Sequence, residues 1–377
     1  MDNYIIIIPQ EFKTSNHIEL WKEMAKQTSG RVIVMDISAD FVVSVLKHKY
    51  FRIKEAWGKA EVILNNLYRL RALYPIRPEL STFPSVKLYS FLFWRRLKCE
   101  FPQIMQENVY LLNYDPVWGK ILYGSHPRMT MGYYLIDEVR RNANNDTIDK
   151  KAFQNDEYTC KKSDFILTMT DILAESRLEY NRNIDVIGNG AIVCLDRVKD
   201  AYRFEKSVAF IGNFRDWVDV ELLTALIKKR RDLLFVFVGP NDASMSIVLN
   251  NLLNENLNTI YFGNISKNRI KQVYQLFGCV IVPYKQNSFM QNTRPIKIVE
   301  SVCCGTPVVT IPMRGYQESE FIRFATDVNS FSNQIDEALQ HPIVTDSAEY
   351  QQFIRDNCWA KKAEVIMASF MKYKRED

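Results

Sequence analysis

The sequence predicts an α/β protein built as two parallel-sheet halves, and three observations carry that prediction. Short apolar runs alternate with longer amphipathic ones over most of the chain. Strands separated by helices form right-handed β-α-β crossovers and hence parallel sheets. The alternation pauses at a polar stretch, Val198–Lys206, and then restarts. Finally, 377 residues exceed what one ordinary core supports and fit two domains.

The first half opens on Ile5–Ile8, a β-branched run ending at Pro9, which suits a strand buried on both faces. A helix is expected over Asn16–Gln27, with Asn16 and Glu19 spaced as a capping box and Ile18, Trp21 and Ala25 on one face. Arg31–Asp36 reads as the second strand. Residues 41–107 mix helical stretches with four prolines and carry no clear elements. Alternation resumes with strands at Asn108–Asn113, Gly132–Ile136, Phe165–Met169 and Asp185–Ile187. Helices between them are expected at Pro116–Leu122, Lys150–Lys162 and Ile172–Tyr180.

The second half repeats the pattern. Strands are expected at Ser207–Ile211, Leu233–Val238, Thr259–Phe262, Val280–Pro283 and Pro307–Ile311. Helices are expected at Asp219–Lys229, Ala243–Asn254, Lys267–Phe277 and Pro295–Cys304, and the tail Ser347–Tyr373 reads as helical. The division expected is 1–195, 196–345 and a helical tail, 346–377, returning to the first domain.

Bulk properties exclude several classes. Apolar content of 47% and charged content of 25% are those of a globular protein. No run approaches the roughly 18 apolar residues of a membrane span. Met1-Asp2-Asn3-Tyr4 offers no basic leader region, and seven scattered cysteines show no metal-ligand spacing, so a cytoplasmic protein with reduced thiols and no bound metal is expected. Charge is uneven: residues 41–105 hold 12 Lys/Arg against 4 Asp/Glu. Such a patch predicts an anionic partner: phosphate, acidic glycan or membrane surface. Within 85–102, Lys87–Lys98 interleaves Tyr89, Phe91, Phe93 and Trp94 with Arg and Lys, which suits either a membrane interface or a core helix with charged edges.

Ligands of open parallel sheets bind beyond the carboxyl ends of the strands. There the second half places Gly212-Asn213, Gly239-Pro240, Gly263-Asn264 and Pro283-Tyr284. Glycines at strand exits let backbone approach a ligand and expose N–H groups to phosphate, although turn geometry alone also selects them. Lys297 and Glu300 lie three apart in the early turns of a helix opened by Pro295. There the helix dipole favours a diphosphate, a lysine supplies a cation and a carboxylate can accept from two ribose hydroxyls. The competing reading is a surface ion pair.

At this segment the chain resembles the GT-B glycosyltransferases that use nucleotide-sugar donors, particularly the bacterial exopolysaccharide and teichuronic-acid type. Their hallmark is E-x7-E followed by G-x-P-V-V, matched here by Glu300 and Gly305-Thr306-Pro307-Val308-Val309. The likeness extends to Phe210–Phe214, Phe237–Pro240 and Ile187–Gly190, covering roughly residues 130–312. It implies two Rossmann-like domains facing across a cleft, with the acceptor on the first. It also implies that Glu300 binds the donor ribose, that Lys297 binds the diphosphate and that no cofactor is needed. The leaving diphosphate would be stabilised by Lys297, Arg294 and helix N–H groups. A UDP-sugar is favoured over a GDP-sugar. The chain departs from the hallmark at Asn292, where the first glutamate would stand; in retaining members that glutamate faces the transferred sugar. The inverting xanthan-type glucuronosyltransferases share the fold and a lysine ahead of the glutamate, so the stereochemistry is open.

An inverting reaction needs a base on the first domain. Asp137, at the end of a predicted strand, is the first candidate. Asp115, ending another, is the second, and both compete with cap or loop roles. His17 starts the first helix, where packing beside Trp21 is the alternative. His126 sits in a loop. The function expected is transfer of a sugar to a glycan or polyprenyl-linked acceptor in surface polysaccharide or capsule synthesis, in the cytoplasm or at the inner membrane face. The alternatives are a nucleotide-sugar epimerase and a non-catalytic sugar-nucleotide or glycan binder. A dinucleotide enzyme is disfavoured because Pro9–Lys13 contains no glycine, and no nucleic-acid-reading motif is present.

Overall fold

The structure is a computed structural model and describes residues 3–9, 17–49, 58–75, 86–140, 148–193, 204–266, 269–287 and 293–374, with 54, 56, 78 and 290. The chain forms two compact units, 1–187 with 362–377 and 188–361.

The first unit contains β1 (Tyr4–Ile8), α1 (Ile18–Lys26), β2 (Arg31–Asp40), α2 (Phe41–Leu46), β3 (Glu61–Leu64), β4 (Leu67–Tyr74), α3 (Val86–Glu100), β5 (Val109–Asn113), α4 (Pro116–Leu122), β6 (Met129–Leu135), α5 (Lys150–Lys162), β7 (Phe165–Thr168), α6 (Asp171–Glu175) and β8 (Ile184–Val186). Its eight strands run in the order β3-β4-β2-β1-β5-β6-β7-β8, parallel except for the β3–β4 hairpin. Every residue of β1, β5, β6 and β7 is buried, as strands covered on both faces require.

The second unit contains β9 (Phe204–Ile211), α7 (Val220–Lys229), β10 (Leu234–Val238), α8 (Ser246–Glu255), β11 (Thr259–Gly263), α9 (Ile270–Gln275), β12 (Phe277–Val282), α10 (Ile296–Cys303), β13 (Val308–Thr310), β14 (Ile322–Phe324), α11 (Val328–Gln340) and α12 (Ala348–Asn357). Its six strands are ordered β11-β10-β9-β12-β13-β14, all parallel. The order reverses between β9 and β12. The last helix, α13 (Trp359–Lys372), begins in this unit, and from Lys362 the chain belongs to the first. There Phe370 packs on Tyr110 and Phe165, and Ser369 Oγ donates to Asp185.

Both halves are parallel α/β, as expected, and each departure has a local cause. The expected boundary at 195/196 falls at 187/188. Ile187 N–H closes on Thr168 O in the first sheet, whereas Asn189 and Ala191 bond to Arg294 and Asn357 of the second unit. The tail expected to return from 346 does so only from 362, because α12 packs against α10. The interval 41–107 holds α2, a hairpin and α3. β9 starts at Phe204, inside the stretch read as linker, and β12 starts at Phe277, where a helix end was expected. β14 and α11 were not anticipated. The Asn16 cap lies outside the described residues; α1 begins beyond His17, which makes no side-chain cap bond. Among the described residues no helix is long and apolar enough to cross a membrane.

Candidate donor site of the second unit

Ligand crevices of open α/β sheets form where strand order reverses, here beyond the ends of β9 and β12. The loop after β9 starts at Gly212 and the loop after β12 contains Tyr284. Lys297, in the first turn of α10, lays its ammonium directly over Gly212. A Cβ built on that glycine would stand 2.2 Å from Lys297 Nζ. The same ammonium lies 4.7 Å from the Phe210 ring centroid and 5.2 Å from that of Tyr284, in the range of cation–π attraction. One cation is thus fixed at the switch point by an aromatic pair and a missing side chain.

The three predicted strand-exit glycines converge here. Gly212 (φ 141°) donates to Val238 O, and Gly239 (φ 129°) donates to Gly263 O. A Cβ on Gly239 would meet Gly212 O at 2.2 Å, so the two loops touch through backbone and only glycine fits. Phe214 N–H donates to Pro240 O, lacing the loops further. Around them three buried polar atoms lack a hydrogen-bond partner among the described residues: Asn213 Oδ1, Asn241 Oδ1 and Trp217 Nε1. Buried polar atoms are almost always paired. Orphans gathered in the loops after β9 and β10 mark where a polar ligand would satisfy them.

α10 starts at Pro295, which is the N-cap residue and not the first helical residue. Among the described residues no side chain caps the helix, and no acid occupies its first turn, so the helix dipole there favours an anion. Tyr316 OH donates to Pro295 O at 2.8 Å and braces this end. The Arg294 guanidinium lies 5.1 Å from the Tyr316 ring centroid and fills the space above Gly188. Gly188 (φ 62°) begins the second unit, in the Ile187–Gly190 stretch to which the resemblance extends.

Glu300 Oε2 accepts from Tyr274 OH at 3.1 Å. Asn264 lines a cavity of about 530 Å³ with Ile265, Ser266, Arg269, Gln272, Val273 and Leu276, alongside α9. Tyr274, Trp217, Asn241 and Gln272 escaped the sequence reading, since none lies in a recognisable motif. Tyr274 sits within a helix whose other members give no functional signal. Asn292 lies outside the described residues.

In the first unit, Asp137 follows β6 and Asp115 follows β5. Asp115 caps α4: its Oδ1 accepts from Val117 N at 2.7 Å and Trp118 N at 3.3 Å. His17 is buried edge-on between Tyr114 and Tyr134, and burial lowers its pKa to about 4, so the ring is neutral at ordinary pH. His126 is also structural: Nε2 bonds Ile104 O at 3.0 Å and Nδ1 accepts from Arg128 N. Asp137 differs from all three. Its side chain reaches solvent, yet desolvation by surrounding protein raises its carboxyl above the ordinary range. Glu138 beside it makes a two-point bond to Arg177, which with Arg140 holds the fully buried Asp156. The residue after Asp137 is therefore fixed while Asp137 itself faces outward.

Residues 196–355 match the family described as glycosyl transferases group 1. Over 102 residues the chain is 28% identical to TuaH of Bacillus subtilis (strain 168), a teichuronic acid biosynthesis glycosyltransferase; the match spans 27% of this chain and 25% of TuaH. Whole-chain likeness comes from solved structures. A mutant of S. aureus TarM in complex with Fondaparinux, alpha-GlcNAc-glycerol and UDP superposes with a TM-score of 0.62 at 12% identity, covering 100% of both chains. Anabaena HepE in complex with UDP and glucose superposes with a TM-score of 0.61 at 12% identity, covering 98% of this chain and 97% of that one. The chain thus has the GT-B fold, and residues 196–355 within it are similar to the group 1 glycosyl transferases.

Proposed function

We propose that this chain transfers a sugar from a nucleotide-sugar, a UDP-sugar in preference to a GDP-sugar, to a glycan or polyprenyl-linked acceptor in bacterial surface polysaccharide synthesis. The observation that carries the reading is the Lys297 ammonium over Gly212 at the switch point of the second sheet. The relatives named above, which include UDP-bound structures, support it.

The donor diphosphate would lie across the open end of α10, against Lys297 and Arg294. The ribose would meet Glu300 and the base would enter the cavity lined by Asn264, Ile265 and Val273. An acceptor hydroxyl attacks the anomeric carbon as the bond to the diphosphate oxygen breaks. Charge develops on the departing diphosphate, where fixed cations and helix N–H groups are most effective. Asp137 is the base proposed for the acceptor proton. Its raised pKa brings it nearer the working pH, where general bases are most efficient. Because the cations are side chains, donor binding and transfer are expected to persist in EDTA.

The α3 helix supports the membrane part of the proposal on one face only. Tyr89, Phe93, Trp94 and Leu97 face the core. Leu88 (44% exposed) and Phe91 (60%) turn outward with Lys87, Arg95 and Lys98. Apolar and basic side chains on one face suit the anionic inner surface of a plasma membrane. Sedimentation with phosphatidylglycerol vesicles tests this: Phe91→Gln with Leu88→Gln should lower the bound fraction severalfold. Equal binding by the double variant would reject the face.

The catalytic assignment is tested with Asp137→Asn. Transfer should fall by at least a hundredfold with UDP affinity unchanged. Unaltered transfer would remove Asp137 from the mechanism.

A further inference from the structure

Arg177, just after α6, is completely buried. Its Nη1 donates to Glu138 Oε2 and its Nη2 to Glu138 Oε1, both at 2.7 Å. Its Nε donates to Asp156 Oδ2 at 3.2 Å, and Nη1 also donates to Ser176 Oγ at 2.6 Å. Asp156 is fully buried on α5 and accepts from Tyr133 OH at 2.8 Å and from Arg140 Nε. Arg177 thereby ties the chain leaving β6 to α5 and to the segment after α6.

These bonds converge on residues 137–140. Glu138 Oε1 also accepts from the Arg140 N–H at 2.9 Å. The Arg140 guanidinium lies 4.5 Å from the Phe153 ring centroid and 4.9 Å from that of Tyr180. β6 pairs with β7 up to Leu135, so the segment is held at both ends and at Glu138 between them. Within it only Asp137 is exposed. A buried ionic cluster is weak evidence for stability, because desolvating the charges can outweigh the gain from pairing them. Its effect here is on direction. A two-point guanidinium–carboxylate bond fixes the planes of both groups, which a lysine or a shorter carboxylate does not reproduce. With Glu138 turned inward, the carboxylate before it is left at the surface, partly shielded from water by protein.

We propose that Arg177 is a positioning residue for the reaction: its two-point bond to Glu138 holds Asp137 outward at the carboxyl end of β6, in the place from which it takes the acceptor proton. This rests on the reading of Asp137 as the base. The charged and titratable groups packed around the segment are Tyr133, Glu138, Arg140, Asp156, Cys160 and Arg177. Variants that conserve all of these charges isolate the geometry. Glu138→Asp and Arg177→Lys do so, and both break the two-point bond.

The test follows the Asp137 carboxyl by carbon-13 NMR of the aspartate-labelled full chain, with Asp137→Asn identifying its signal. In wild type it should titrate above the ordinary aspartate range. In both charge-conserving variants its titration should fall by about half a pH unit or more, as the carboxyl gains water. Transfer from the UDP-sugar that wild type uses should drop by about tenfold or more. The acid limb of its pH profile should move down with the Asp137 titration, because the base must be ionised to act. UDP affinity should be unchanged. A purely structural role would lower the melting temperature and leave the titration and the acid limb in place. Glu138→Asp, at a half-buried position, carries the test if Arg177→Lys does not fold. If Glu138→Asp keeps the wild-type Asp137 titration, the proposal fails and the base reading is untouched. Unchanged transfer with an unshifted acid limb in that variant also overturns it. If Asp137→Asn transfers normally, or wild type transfers from no UDP-sugar, the base reading fails and the proposal with it.

Discussion

Lys297 and Gly212 each account for the other. The ammonium occupies the volume a side chain at 212 would need, and the glycine adopts a backbone angle other residues avoid. Gly212→Ala should therefore displace the cation and strain the loop together. UDP affinity should fall about tenfold or more, and stability should drop by roughly 1–3 kcal/mol, read from titration and urea unfolding. Asp115 and Asp137 illustrate the opposite case, where similar residues at equivalent strand ends do different things. Asp115→Ala removes a helix cap and should cost roughly 0.5–2 kcal/mol of stability with transfer retained. Spacing placed Lys297 and Glu300 near one helical face. It did not show that the cation reaches back over β9 while the carboxylate turns to α9, since both partners come from distant parts of the chain. Phe210, Tyr274 and Tyr284 were needed to see it.

At the scale of elements, legibility followed the strength of local stop and start signals. α4 and α5 were read to the residue because Asp115-Pro116 and Asp149 cap them. The apolar segment around Phe277 was misread because a short buried strand and a helix end share the same composition. α11 does carry a capping box at Asp327 and Ser330, and an amphipathic run after it, but nothing flagged a further β-α unit beyond β13. The loop after β6 and helix α5 depend on Asp156, which neutralises two arginines inside the first unit. Asp156→Ala should cost about 3–5 kcal/mol, since it leaves Arg177 and Arg140 short of a buried partner.

The titrations around β5 and β6 act in a definite order. Burial alone would raise the Glu138 carboxyl, but the bonds and charge of Arg177 outweigh it and lower its pKa. Its stabilisation is complete above the ordinary carboxylate pKa and is lost as pH falls through its folded value. His17 behaves differently: its unfolded form protonates near 6.5 and its folded form only near 4. Between those values the unfolded state holds more protons, so stability falls as pH is lowered from 6.5 to 4. Melting temperatures recorded across that window should decline in wild type and stay flatter in His17→Phe.

For the whole molecule, the readable part and the family match coincide. Residues 196–355 match the group 1 family, and the motifs seen in the sequence cluster at 187–309. The first unit offers mainly apolar strands that any parallel sheet would accept, so it was legible as a fold and not as a site. Its local excess of positive charge is partly neutralised by folding: Arg69 and Arg71 pair with Asp36 and Glu61, and Arg96 pairs with Glu100. The cations that remain outward on α3 accompany Leu88 and Phe91. The central claim concerns Lys297 as the anchor of a donor diphosphate, and calorimetric titration of UDP into wild type and Lys297→Ala tests it most directly. Wild type should bind, and the variant should lose at least tenfold in affinity while melting at nearly the same temperature. Equal UDP affinity in the two proteins, or no binding by wild type, would contradict the account.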